Sequence, residues 1–290
     1  MFTYGVELLL WTGTFEKKDL HLIEHARKLG FDGVEIHLQH PDRIPAGEIR
    51  EALAAHGMQA AFIVILDLER NPLSPDPATR SRSLDYLKNC IDAAHQIAGE
   101  GCLVGGVTYT AAGYLSGRAR TREEWERAVD SFRQTARHAG ERGITLAVEP
   151  LNRFETFFLN TAADAVRFCR EVGEPNVKVH LDTYHMIREE TSFYRAIVDT
   201  GPFLGYFHAC ENDRGTPGTG LVRWEEVYRG LKDAGYEGWI VIESFVPDIP
   251  ELARVAAVWR RLAPSADHLA GEGLRNLRAV ERGVLGTQHA

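Results

Sequence analysis

Short apolar runs recur along this chain at intervals of about one strand-plus-helix unit, and several stop abruptly at a side chain able to bind a metal. Four copies of one phrase display the pattern: ARKLGFDGVEIHL from Ala26, ARHAGERGITLAVEPL from Ala136, CREVGEPNVKVHLD from Cys169 and LKDAGYEGWIVIESF from Leu231. In each, a helical stretch closes near a glycine, a few polar residues follow, and a short apolar run reads as a buried strand; such recurrence marks repeated αβ units. Filling in the intervals predicts eight strands, at residues 4–9, 33–36, 60–65, 102–107, 145–148, 177–181, 204–207 and 239–242.

Helical signals lie between them. Residues 121–142 open on a Thr121-x-x-Glu124 cap and carry Trp125, Ala128, Val129 and Phe132 on one face. Thr161 and Asp164 resemble a capping box ahead of Ala165, Val166, Phe168, Cys169 and Val172, a run closed by Gly173 and Pro175. Eight alternations predict an α/β fold, a single (β/α)8 TIM barrel. A doubly wound open sheet is the alternative, but no GxGxxG opens its first crossover. No linker or composition break divides residues 1–290, so one domain is expected. A C-terminal helical extension over about 264–290 carries Leu269, Leu274, Leu277 and Val280, for packing on the barrel or on a second subunit. Two loops are long: 67–78, rich in Pro and Asp, and 209–222, rich in Gly.

At 290 residues and 44% apolar content the chain can bury a sizeable core. A net charge of −8 and a pI near 5.9 argue against a partner that is nucleic acid or an anionic membrane. No apolar run approaches the roughly 18 residues of a membrane span, and MFTYGVELLLW lacks the basic lead-in and cleavage site of a signal peptide. Cys90, Cys102, Cys169 and Cys210 lie far apart without a CxxC pair, which reads as reduced, mostly buried thiols of a cytoplasmic protein.

The ends of predicted strands five to eight place Glu149, Asp182, His208 and Glu243 at spacings of 33, 26 and 35 residues, each close to one βα unit. A closed barrel would aim all four at one point. Three carboxylates and an imidazole suit a divalent ion of intermediate hardness, Mn²⁺, Mg²⁺ or Co²⁺, better than a thiolate-type zinc site. Without a cation three converging acids repel one another. The competing reading is that acids follow strands simply because loops are polar.

The residues around them resemble those of the ketose 3-epimerases, typified by D-tagatose 3-epimerase and D-psicose (allulose) 3-epimerase, within the xylose-isomerase-like TIM barrels. The matching stretches are Glu149-Pro-Leu-Asn-Arg-Phe-Glu155, Asn160-Thr161, Pro175-Asn176-Val177, Leu181-Asp-Thr-Tyr-His-Met186, Glu189-Glu190, Gly205-Tyr-Phe-His208, Arg214-Gly-x-Pro-Gly218 and Val241-Ile-Glu-Ser-Phe-Val246. They cover residues 149–246; earlier residues match in layout, through Leu29-Gly30-Phe31-Asp32-Gly33 and the Gly105-Gly106 pair.

The resemblance implies that Glu149, Asp182, His208 and Glu243 are metal ligands, that Glu149 and Glu243 are also the catalytic acid/base pair, and that Glu155, His185 and Arg214 grip the O1 to O3 end of a ketose. It implies Mn²⁺ as the ion, with Co²⁺ or Mg²⁺ as substitutes, a small-molecule sugar as partner, and a homodimer or homotetramer. Read without it, Glu155 is a loop acid able to pair with Arg153, and His185 a helix-start histidine. The implied reaction inverts C3 through a cis-enediolate: a cation bridging O2 and O3 stabilises the developing charge, one carboxylate takes the C3 proton, and the other returns one to the opposite face.

Other expectations are more open. The glycine-rich loop around Arg214 holds either a sugar oxygen or a phosphate, although it lacks the GK[ST] of a P-loop. Trp11, Tyr109 and Phe245 either wall the sugar or belong to the core. Glu35 and His37 end the second strand near the site, and His180 reads as a core or strand-face histidine. The sequence departs from familiar family members at residues 107–113, at Ile187-Arg188 and at Glu211-Asn-Asp, which bears on substrate length and C4 preference. Rivals to C3 epimerisation are isomerisation of a sugar, sugar phosphate or keto-inositol at the same metal site, an endonuclease IV-like repair enzyme, which the acidic charge counts against, and a non-catalytic binding barrel.

Overall fold

The computed structural model describes residues 2–286. Eight parallel strands close into a barrel in chain order: β1 (Thr3–Glu7), β2 (Gly33–His37), β3 (Gln59–Leu66), β4 (Leu103–Ala111), β5 (Thr145–Val148), β6 (Val177–Asp182), β7 (Leu204–His208) and β8 (Trp239–Ile242), with β1 bonded to both β2 and β8. The helices are α1 (His21–Leu29), α2 (Ala46–His56), α3 (Pro77–Ala98), α4 (Arg122–Gly140), α5 (Ala162–Val172), α6 (Thr183–Glu189), α7 (Phe193–Thr200), α8 (Trp224–Asp233), α9 (Pro250–Val255) and α10 (Ala266–Leu285). This is the TIM barrel that the repeated phrase predicts. No helix among the described residues is long and apolar enough to cross a membrane.

Local signals explain most boundaries. Thr121 caps α4 through a full capping box with Glu124, and the Thr161 hydroxyl accepts from the Asp164 N–H at the start of α5. The expected strand over 4–9 stops at Glu7, because Leu8–Leu10 turn into a 3₁₀ helix. Strand four runs past 107 to Ala111, its added residues all buried. The loop at 67–78 is ordered by Asp67, which caps the turn Leu68–Arg70, and by Asp76, which caps α3.

Strand side chains alternate between two cores. Val34, Phe62, Val64, Val104, Leu146, Val148, Val179, Leu181, Phe207, Ile240 and Ile242 pack outward against the helices. Ala61, Leu103, Ala147, Tyr206 and Val241 fill the barrel interior, with Trp239 against them. Glycine makes room for this filling: a Cβ on Gly33 would lie 2.4 Å from the Trp239 ring, and one on Gly105 2.9 Å from Tyr206. Two residues further along the same strands the interior becomes polar, with Glu149 beyond Ala147, His208 beyond Tyr206 and Glu243 beyond Val241. An apolar floor therefore supports a charged layer at the C-terminal mouth.

The helix α10 packs on the barrel and buries Leu269, Leu274 and Leu277. Its Glu281 accepts from the Tyr4 hydroxyl at 2.9 Å, Arg278 donates to the Gly30 carbonyl at 3.0 Å, and Asn276 donates to the Pro217 carbonyl at 2.9 Å. All four cysteines are buried and unpaired.

Candidate active site

The ends of β5 to β8 bring Glu149, Asp182, His208 and Glu243 to the mouth, every one of them buried. Asp182 and His208 are register partners on β6 and β7. Donor atoms of Asp182, His208, Cys210 and Glu243 lie within 4.8 Å of one another, and Glu149 falls within the same reach of Asp182 with His185, and of His180 with His208. Thr183 ties the two strand ends together, its hydroxyl donating to the Cys210 carbonyl at 2.6 Å and accepting from the Cys210 N–H at 2.9 Å.

Buried acids dominate the electrostatics. Burial pushes Glu149 up to about 8, with Asp182 and Glu35 adding to the rise and His208 and Arg214 opposing it. Burial also pulls His208 down, but Glu35, Glu149 and Asp182 outweigh it and raise His208 to about 9. The site fits a divalent cation on its own geometry. His208 Nδ1 is buried with no hydrogen-bond partner and stands 3.8 Å from Glu243 Oε1. The Cys210 thiol, pushed well up by burial, stays protonated and donates to Glu243 Oε2 at 3.5 Å. That leaves three carboxylates and one imidazole as donors, a set for hard to intermediate divalent ions.

The loop after β5 supplies the next residues. The Asn152 N–H donates to His185 Nδ1 at 3.1 Å, and the Asn152 side-chain amide lies 2.9 Å from the same nitrogen. Burial lowers His185 to about 4, so the ring is neutral, and its Nε2 faces Glu149 Oε1 at 3.6 Å and Asp182 Oδ2 at 3.7 Å. Glu155 stands one residue back, accepting from the Asn152 amide at 2.8 Å. It does not pair with Arg153, whose guanidinium is taken by Glu189 at 2.9 to 3.3 Å.

Arg214 enters from the loop after β7 with φ 65°, a left-handed conformation uncommon outside glycine. Its guanidinium lies over the Tyr184 ring at 3.9 Å, meets Asp182 Oδ2 at 3.5 Å and contacts Glu243 directly. The buried Glu211 holds this loop: one oxygen accepts from the N–H groups of Asn212 and Val222, the other from Gly218 N–H and the Trp224 indole. Asp213 takes Gly215 N–H and Asn212 takes Leu221 N–H. The amides of Asn212, Gly215, Gly218, Leu221 and Val222 are thus committed to side chains of the chain itself, which leaves fewer of them for the anion cradle that one reading expected.

The remaining candidates divide. Tyr109 belongs to the core, fully buried against Phe158 and Phe168 and donating to the Glu149 carbonyl at 2.7 Å. Trp11 is bound to Asp267 at 2.8 Å, whereas Phe245 lies 5.1 Å from the Arg214 guanidinium. His37 borders a cleft of about 540 Å³ lined by Phe15, Lys18, His40 and Arg43; its ring nitrogens are out of solvent and unpartnered, and burial with His40 lowers it to about 4. His180 is interior, its ring centroid 4.0 Å from that of His208. From the sequence, Asn152 and Tyr184 lie in the family-matching stretches with no role of their own, Glu211 reads only as part of a departure bearing on substrate preference, and Cys210 only as a buried thiol.

Residues 23–279 match the family model described as xylose isomerase-like TIM barrel. The chain is 33% identical over 279 residues to an L-ribulose 3-epimerase of Methylomonas sp. (strain DH-1), covering 95% of this chain and 96% of that protein. It is 33% identical over 292 residues to a D-psicose 3-epimerase of Agrobacterium fabrum, covering 98% and 99%. The crystal structure of a Methylomonas D-allulose 3-epimerase in complex with D-allulose superposes with a TM-score of 0.91 at 32% identity, over 96% of both chains.

Proposed function

This chain belongs to the xylose isomerase-like TIM barrels and, within them, to the ketose 3-epimerases, and from that premise we propose that it inverts C3 of a free ketohexose or ketopentose. As a carbohydrate epimerase it must move one proton off a carbon and set another on the opposite face. Glu149 and Glu243 leave β5 and β8, three strands apart around the mouth, which supports assigning one to each face of a bound sugar. One carboxylate takes the C3 proton, giving the cis-enediolate, and the acid opposite delivers a proton; positioned groups of this kind each contribute roughly 10² to 10⁴-fold. A neutral His185 donates from Nε2 to a sugar oxygen, Arg214 donates from its fork, and Glu155 accepts from a hydroxyl near the loop edge.

Glu149, Asp182, His208 and Glu243 would hold the divalent ion, Mn²⁺ in this reading. Such an ion supplies Lewis-acid stabilisation of negative charge developing on the ketose oxygens. The observation that carries the proposal is the buried convergence of these four groups with His185 and Arg214 at the mouth. The engaged amides around Glu211 favour an uncharged sugar over a sugar phosphate. A cytoplasmic homodimer or homotetramer completes the reading, with the assembly measurable by light scattering.

The test is NMR of the purified protein with D-tagatose, D-fructose and L-ribulose in D₂O, with Mn²⁺ and with a chelator, each reaction quenched before acquisition. Deuterium at C3, with the C3 epimer appearing only when metal is present, is expected. Deuterium at C1 or C2 without C3 label would replace epimerisation by isomerisation.

A further inference from the structure

Glu35 sits on β2, fully buried, with its register partners Glu7 on β1 and Ala61 on β3. Its side chain crosses the barrel interior to β7. There a single oxygen, Oε2, accepts from the Tyr206 hydroxyl at 2.5 Å and meets His208 Nε2 at 3.0 Å. Tyr206 and His208 are two apart on one strand, so both face inward and both converge on that oxygen. The ring of His180, centred 4.0 Å away, backs the His208 imidazole, and Gly105 leaves the space that His180 and Tyr206 occupy.

The chemistry of this contact restricts His208. An ionised carboxylate can only accept, so the hydrogen between Glu35 and His208 resides on Nε2. In the neutral ring that an ion requires as a ligand, Nδ1 is then left with a lone pair, and it is the nitrogen that is buried without a partner and lies 3.8 Å from Glu243 Oε1. Left alone, a neutral imidazole beside the Glu243 carboxylate would favour the opposite tautomer, with its hydrogen on Nδ1 and no lone pair toward the other acids. Glu35 opposes that preference from the far side of the ring.

We infer that Glu35 is a positioning residue for His208: with Tyr206 fixing its own orientation, it holds the imidazole as the Nε2–H tautomer and directs Nδ1 to the ion-binding side. This rests on reading His208 as a ligand, but its consequences appear without any sugar present. Outer carboxylates of this kind typically change metal affinity by 10- to 100-fold when removed.

The experiment uses histidine labelled with ¹⁵N in the full chain, loaded with Mg²⁺ so that the spectra stay sharp, with His208 assigned by its loss in His208→Gln. Long-range ¹H–¹⁵N correlations should place the His208 hydrogen on Nε2. In parallel, free Mn²⁺ is followed by EPR during titration of the wild type, Glu35→Gln and Glu35→Ala. Glu35→Ala should bind Mn²⁺ about 10- to 100-fold more weakly. Glu35→Gln, which keeps an acceptor but loses the charge, should fall between, and the unfolding midpoint of Glu35→Gln in EDTA should stay at the wild-type value. A wild-type His208 protonated on Nδ1 would overturn the inference, as would Mn²⁺ affinity unchanged within twofold in both variants. A Glu35→Gln midpoint that drops in EDTA while its Mn²⁺ affinity holds would make Glu35 merely structural. Neither readout uses turnover, so an absence of C3 exchange would overturn the proposed reaction while leaving this result standing.

Discussion

The backbone N–H of Asn152 donates to Nδ1 of His185, and that bond decides what the imidazole offers on its other side. With Nδ1 engaged as an acceptor, the neutral ring carries its hydrogen on Nε2, between Glu149 and Asp182. His185→Gln keeps an amide donor and should cost less than about tenfold in kcat/KM on the accepted ketose. His185→Leu removes it and should cost about 10- to 100-fold, the worth of a hydrogen bond in a charged, buried site. Equal losses in the two variants would remove the donor role.

Glu149→Gln and Glu243→Gln should each stop net inversion, with kcat down by about 10² to 10⁴-fold at saturating Mn²⁺. The informative readout is deuterium. A chain with one acid left still reaches the face that acid serves, so label should enter C3 of one epimer without producing the other, and the two variants should favour opposite epimers. Label lost from both epimers in both variants would contradict a division of labour between the two faces.

Glu211 organises the loop that carries Arg214 by accepting four hydrogen bonds while fully buried. Glu211→Ala strands those donors, at a cost of about 2–4 kcal/mol in denaturant unfolding. Activity should fall as well, through misplacement of Arg214. A variant as stable as the wild type would show that the loop re-pairs its amides elsewhere.

Gly33 and Trp239 share one space at the barrel floor, where a Cβ at residue 33 would also come within 2.8 Å of the Gln59 carbonyl. Gly33→Ala should destabilise by about 1–3 kcal/mol. Combining it with Trp239→Leu should recover part of that cost, and the coupling is read from a double-mutant cycle. Strict additivity would place the clash on the Gln59 backbone instead of the indole.

His37 gives stability a dependence on pH. Its folded pKa, lowered to about 4, lies below the unfolded value near 6.5. The unfolded chain therefore binds a proton first as pH falls. The stability is whole above pH 6.5 and is lost progressively toward pH 4. Between pH 7 and pH 5, chelated wild type should lose more stability than chelated His37→Phe, measured by urea unfolding at both values; an equal loss would mean that the His37 ring titrates like an exposed histidine.

The fold and the four strand-end groups were legible because both follow from one repeat: a phrase that fixes where each strand ends also fixes which residue stands at the mouth. Boundaries were less so. Leu8, Leu9 and Leu10 continue the apolar run of β1, and hydropathy cannot distinguish a strand from a buried 3₁₀ turn. Thr108 and Thr110 look like a polar exit from β4, yet both are buried within it. Arg153 and Glu155 are near in sequence, but Glu189, from α6, takes the arginine. Glu211 in a glycine-rich loop has the sequence of a solvated acid. The meeting of Glu35 with Tyr206 and His208 depends on closure, since β2 and β7 become neighbours across the interior only when β1 and β8 pair.

That closure also sets an order of events during synthesis. Trp239, which roofs Gly5 and Gly33, belongs to the last strand to leave the ribosome, some two hundred residues after the first. Until it emerges, β1 presents an open edge, and Glu7 on β1, Glu35 on β2 and Glu149 after β5 have no closed barrel to enclose them. Enclosure of those acids and completion of the apolar floor beneath them therefore coincide in one step, the pairing of β8 with β1 that sets the indole against Gly5 and Gly33.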